Sequence, residues 1–254
     1  MSKKEWKKTR TIYWSDERND DFDQVGLSRP PVPEGYKYKR TNPIYNFFAG
    51  ILYHLIAKPI MGFYCLLKGK GAYIYSNHTT MTDILKFQSY VCFFRKRVNI
   101  LGYSDSLSMP IVRGIERALG YLPVPLKGDL NNLLALSDAC NYYINKGQFV
   151  LIYPEAHIWP YYTKIRNFPE GSFNYPARNM SPVVPAVTTW RKSKLCKKPK
   201  QTIYIGEPIF PIEDKDAVWN REYLHQATLE AMKKLSESVS QYEYIKYVKK
   251  ENKE

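Results

Sequence analysis

From residue 72 to residue 205 the chain repeats one pattern: a short apolar run of strand length, a polar or turn-forming break, then a longer segment of helical character. Ala72-Tyr73-Ile74-Tyr75, Val98 to Leu101, Gln148 to Tyr153, Pro182 to Val187 and Thr202 to Ile205 are the runs, each too short for a helix and bounded by polar or turn residues. They read as buried strands. Ile84 to Phe94, Pro110 to Leu119 and Leu130 to Asn145 read as the helices between them, and Trp219 to Lys234 as a closing helix. Parallel neighbours need a crossover connection, usually a helix, so the alternation predicts an α/β fold with a mostly parallel central sheet flanked by helices.

A chain of 254 residues with 44% hydrophobic content fills one such core, because domains commonly run ~100–200 residues. The expected domain covers residues 69–240. Residues 1–42 are charged and broken by Arg29-Pro30-Pro31-Val32-Pro33, which predicts an extended arm rather than a core element. The Lys-rich end, residues 241–254, reads as a frayed basic tail.

Between arm and domain, residues 43–68 are strongly apolar: Thr41 to Ala57 carries no Asp, Glu, Lys or Arg, and Lys58-Pro59 then interrupts the run. A spanning helix needs ~20 apolar residues, and Asn46 and His54 fall inside this stretch. A pair of helices lying in the interface fits the Tyr, Phe and Lys pattern better than a single pass. The first residues hold no apolar signal-peptide core, and Cys65, Cys92, Cys140 and Cys196 form no pair at zinc or redox spacing. A reducing cytoplasmic setting is expected, with attachment to the cytoplasmic face of a membrane. The formal net charge of +14 attracts polyanions, whether anionic membrane, nucleic acid or phosphorylated small molecules.

Two of the four histidines stand just past the ends of expected strands: Asn77-His78 after the first, and Pro154-Glu155-Ala156-His157 after the third. Ligands of open α/β sheets gather at the carboxyl ends of strands, so the two clusters are candidates for one site. His78 and Asp83 would lie about 140° apart on a continuous helix, too far for contact. They meet only across a helix start: with Thr80 or Thr82 as cap, Asp83 falls in the first turn and His78 folds back from the preceding loop. The carboxylate then fixes the imidazole tautomer, and the other ring nitrogen is free to take a proton. His78, Asp83, Glu155 and His157 are also a credible metal-ligand set, which keeps a metal-dependent hydrolase as an alternative. The charge and the 22 tyrosines keep a non-catalytic nucleic-acid or anionic-surface binder as another.

Asn77-His78-Thr79-Thr80-Met81-Thr82-Asp83 resembles the first block, Asn-His-x4-Asp, of the lysophosphatidate and glycerolphosphate acyltransferases. Val150-Leu151-Ile152-Tyr153-Pro154-Glu155 is similar to their third block, an apolar strand entering Phe-Pro-Glu-Gly-Thr-Arg, and Ser181 to Val187 to their fourth. Phe168-Pro169-Glu170-Gly171-Ser172-Phe173 corresponds to a downstream Phe-Lys-Lys-Gly-Ala-Phe stretch, and Ile205-Gly206-Glu207-Pro208-Ile209 looks like a Gly-Glu-Pro-Ile turn. The ordered set spans residues 70 to 212.

The resemblance implies transfer of a fatty acyl group from acyl-CoA or acyl carrier protein to the hydroxyl of a lysophospholipid-like acceptor, with 1-acylglycerol-3-phosphate expected. His78 would be the general base and Asp83 its partner, with no cofactor beyond the acyl co-substrate. Asn77 and Glu155 would line the acceptor side, Glu155 either touching substrate or holding its loop. Two arginines of the family pattern are missing. In the second block Gly120 to Leu126 contains none, with Lys127 one place late, and in the third Ala156-His157-Ile158 replaces Gly-Thr-Arg. His157, Lys164, Arg166 and Lys127 are the expected substitutes around an acceptor phosphate. The loop Arg191 to Lys200 carries six cations and reads either as a solvated hairpin connection or as a contact with an anionic leaflet, where each cation is worth ~1 kcal/mol.

Overall fold

Strand β2 (Ala72–Ser76) is buried at every position, as is β5 (Phe149–Ile152) beside it. That pattern belongs to parallel strands covered on both faces. The computed structural model describes residues 11–22, 31–33, 36–39, 71–80, 83–84, 86–87, 97–103, 120–193, 198–240 and 242–251. Within them, β2 and β5 lie at the centre of a six-stranded sheet with β3 (Val98–Tyr103), β4 (Tyr121–Val124), β6 (Val183–Arg191) and β7 (Lys200–Ile205), in the order β4-β3-β5-β2-β6-β7. Every pairing is parallel except β6 with β7, a hairpin. In register, Ala72 faces Phe149 and Ser76 faces Ala186.

Side chains of a strand alternate between faces, and the core divides accordingly. Tyr73, Tyr75, Val150 and Ile152 pack against Leu136, Ala139, Cys140 and Tyr143 of helix α1 (Leu130–Asn145), and against Leu224 and Met232 of a longer helix, Ala217–Val239. Ala72, Ile74, Phe149, Leu151, Val184, Ala186 and Ile203 form the other face with Phe87. Helix α1 starts where Asp129 accepts from the Asn132 N–H. It stops where Gly147, at φ +70°, lets its own N–H reach the Ile144 carbonyl and the Gln148 N–H reach that of Tyr143, a terminus only a left-handed residue closes well. A short helix α2 (Asn174–Arg178) follows the 3-10 turn Glu170–Phe173, and α3 is the helix Ala217–Val239, capped by Asp216.

The expected mostly parallel α/β sheet and the helix Leu130 to Asn145 are present, and the closing helix is longer than expected at both ends. The expected segments 43–68 and 110–119 lie outside the described residues, as do most of 84–94, of which Ile84, Lys86 and Phe87 are helical. Among the described residues, no helix is long and apolar enough to cross a membrane.

The two chain ends differ from expectation. Strand β1 (Thr11–Trp14) pairs in parallel with β8 (Lys246–Lys249), so neither the arm nor the tail is free along these residues. Ile12, Phe22, Trp159 and Ile245 form a small core beneath them, with Trp159 stacked on Tyr247 at 5.0 Å. The Pro-rich piece is likewise packed: Val32 and Tyr38 are buried in the main core, and the Tyr38 hydroxyl donates to the Pro123 carbonyl. The lysines at both ends of β8 hid it, because its apolar partners come from the other end of the chain.

Candidate active site

The chain leaves β2 through Asn77, whose amide spans to the next strand: its Nδ2 donates to the Thr188 carbonyl and its Oδ1 accepts from the Thr188 N–H. This 1% exposed residue fixes the direction of the loop that follows. His78 comes next, and its ring stacks on Tyr153, from the end of β5, at 4.1 Å and 15°.

Thr80 starts the following helix, with the Asp83 N–H donating to its carbonyl. The Asp83 side chain reaches back to the Thr80 N–H at 2.9 Å and the Thr79 N–H at 2.7 Å, as the third residue of a helix capping box does. The Thr80 hydroxyl donates to Asp83 at 2.8 Å, and Gln201 of β7 donates its amide to the same carboxylate. His78 Nδ1 lies 3.2 Å from Asp83 Oδ2, the carboxylate being fully buried. Burial alone would raise the Asp83 carboxyl. The hydrogen bond and charge of His78, with the Thr80 and Thr79 N–H groups, outweigh it and hold the carboxyl below its ordinary value. Facing an ionised acceptor, Nδ1 must carry the proton, which leaves Nε2 with a lone pair. An imidazole held in this way can take a proton from a hydroxyl brought to Nε2.

The loop after β5 is pinned to the same turn. The Trp159 N–H donates to the His78 carbonyl and the Tyr161 N–H to that of Thr79. Glu155 accepts from the Arg166 N–H at 2.9 Å, Nε at 3.2 Å and Nη2 at 3.0 Å, and also from the His78 N–H. Burial nevertheless raises the Glu155 carboxyl, with Arg166 opposing the shift. Arg166 is itself 1% exposed. It also donates to the Glu17 and His157 carbonyls, and its guanidinium lies 4.7 Å from the centre of the Trp159 ring. Ala156 holds φ +64°, a left-handed conformation costing about 1–2 kcal/mol for a residue with a Cβ. It stands where the resembling block has Gly, the residue that takes up this conformation without strain.

These contacts revise several expected acceptor contacts. Arg166 is not available to an acceptor phosphate, because its charge is spent on buried Glu155. Glu155 holds the loop, and Asn77 ties β2 to β6. His157 Nδ1 is engaged by Asp21 at 3.2 Å. Lys127 and Lys164 are exposed. The four candidate metal ligands are not brought together: among the described residues no group of three or more His, Cys, Asp or Glu side chains could hold an ion. Sequence reasoning missed Gln201, which lies 118 residues from Asp83 and carries no local signal. It also missed Tyr153 as the ring beneath His78. Among the described residues, the buried Tyr153 hydroxyl, Thr188 Oγ1 and Trp190 Nε1 have no hydrogen-bond partner.

Comparison with curated proteins gives no match. Among solved structures, the chain is similar to the crystal structure of the 1-acyl-sn-glycerophosphate (LPA) acyltransferase PlsC from Thermotoga maritima, with 17% sequence identity, a TM-score of 0.49, and coverage of 76% of this chain and 78% of that one. The model of the Acyltransferase family matches residues 64–189. That stretch contains β2 to β5, most of β6, and the whole His78-to-Asp83 turn. Residues 64–189 of the chain are thus a domain of the acyltransferase family.

Proposed function

We propose that this protein transfers a fatty acyl group from acyl-CoA or acyl carrier protein to the free hydroxyl of a lysophosphatidate-like acceptor, 1-acylglycerol-3-phosphate being the first to test, at the cytoplasmic face of a membrane. The observation that carries the reading is the His78–Asp83 contact at 3.2 Å, with the carboxylate buried and ionised and Nε2 left basic. In this mechanism His78 Nε2 takes the proton of the acceptor hydroxyl as its oxygen attacks the thioester carbon. The tetrahedral intermediate collapses, the carbon–sulfur bond breaks, and the sulfur leaves as a thiol after taking the proton from His78. Asp83 holds the imidazole in the competent tautomer and stabilises its charged form. Lys127 and Lys164, both exposed, are the candidates for an acceptor phosphate, Arg166 being engaged elsewhere.

The test is thiol release from acyl-CoA and from acyl carrier protein, with lysophosphatidate and other lysolipids as acceptors. Acceptor-dependent release with matching acylated lipid supports the reading. His78→Ala is expected to lower turnover ~10²–10⁴-fold, the usual contribution of a general base. Equal turnover by the folded His78→Ala protein would sink the mechanism.

A further inference from the structure

Two exposed apolar patches lie at opposite edges of the sheet. At the carboxyl edge, where β4 ends and α1 begins, Leu126, Leu130, Leu133 and Leu134 are 41%, 63%, 42% and 52% exposed. At the amino edge, where β7 ends and β6 begins, Phe210, Ile212, Val218 and Trp219 are exposed as well. Charge separates the two. The amino-edge stretch carries Glu207, Glu213, Asp214 and Asp216 against Lys215. The carboxyl edge has Lys127 beside its leucines and, across the sheet, the β6–β7 hairpin.

That hairpin extends well past its neighbour. β2 ends with Ser76 opposite Ala186, whereas β6 runs on to Arg191, roughly 17 Å further at about 3.3 Å per residue. The hairpin walls the site along its length, through Thr188 on Asn77 and, one pair short of its far end, Gln201 on Asp83. Its far end exposes Arg191, Lys192, Lys198 and Lys200 with no acidic residue between Arg191 and Lys200. Asp129, Asp20 and Asp21 are each engaged locally: Asp129 caps α1, Asp20 accepts from Ser15, and Asp21 meets His157. β4 and β6 are four strand spacings apart in the sheet, ~19 Å, and the end of β2, which leads into His78, lies between them.

We infer that this carboxyl edge is a docking surface for an anionic lipid bilayer, the leucines of α1 entering the interface while the hairpin cations meet the headgroups, so that the His78 site opens at headgroup depth. Exposed leucines beside cations are what an interfacial contact requires, whereas a nucleic-acid partner would leave the leucines unexplained. The inference rests on the lipid-acceptor reading for its purpose, and its test separates the two.

Sedimentation of the full chain with vesicles of phosphatidylcholine, alone or mixed with phosphatidylglycerol, compares the wild type with Leu130→Glu/Leu134→Glu, Arg191→Glu/Lys192→Glu and, at the amino edge, Phe210→Glu. The charge reversals are expected to weaken binding to the mixed vesicles by about twenty-five-fold or more, at about fivefold per cation. The leucine pair is expected to weaken binding to both vesicle types by more than tenfold, and Phe210→Glu to leave it unchanged. Arg191→Gln/Lys192→Gln and the salt dependence of wild-type binding provide the same reading should a reversal disturb folding. Unchanged vesicle binding in both carboxyl-edge variants overturns the inference, as does equal loss in Phe210→Glu. A dimer that dissociates in the leucine variant, or duplex DNA binding that alone responds to the charge reversals, overturns it too. Thioester turnover on a dispersed short-chain acceptor is expected to survive in all variants. Its absence from the wild type, with the vesicle pattern intact, would overturn the lipid-acceptor reading and leave the surface standing.

Discussion

Arg166 is buried against Glu155, with 1% of each side chain exposed. Eleven residues separate it from Glu155, and nothing local marks them as partners. Removing one member of a buried ion pair leaves the other uncompensated, at a cost of about 3–5 kcal/mol. Arg166→Ala is therefore expected to lower urea-unfolding stability by that amount, and an unchanged midpoint would contradict the pairing. Asp83 makes a different prediction. Its folded pKa lies below 3.8, so its contribution to stability is present above that value and lost as pH falls through the lower, folded one. The gap in stability between wild type and Asp83→Asn is expected to close in acid, as pH falls through the Asp83 value, as read from denaturation midpoints across a pH series.

At the scale of elements, Gly71 governs the entry into β2. A Cβ there would run into the Gln148 and Ile144 backbone carbonyls, atoms that cannot swing aside as a side chain would. Gly71→Ala is expected to cost about 1–3 kcal/mol, the usual range for overpacking, measurable as a lowered melting temperature. The central strands were readable because burial on both faces leaves a continuous apolar run, as in Phe149 to Ile152. β4 was harder to read: Pro123 sits within its four residues, tolerated because β4 is an edge strand. The helix start at Thr80 and the His78–Asp83 approach followed from spacing and capping preferences. Gln201 and Tyr153 did not, since each reaches the site through sheet pairing rather than through local sequence.

Across the whole molecule, the pairing of β1 with β8 joins Thr11 to Lys246, and the core beneath it contains Trp159, whose N–H holds the His78 carbonyl. Ile12→Ala, at a fully buried position, is expected to cost about 2–5 kcal/mol and to loosen the 155–162 loop. Faster hydrogen exchange at Trp159 and Tyr161, with the strands β2 and β5 still protected, is the expected signature, and uniform loss of protection would contradict it. Contacts between distant parts of a chain form slowly, and this pairing closes a loop of nearly the entire length. The six-stranded sheet is complete in sequence by Ile205, but the clamp over the candidate site awaits Lys246 to Lys249. A nascent chain can thus pair its sheet, and bring His78 against Asp83, before β8 is there to brace the 155–162 loop from above.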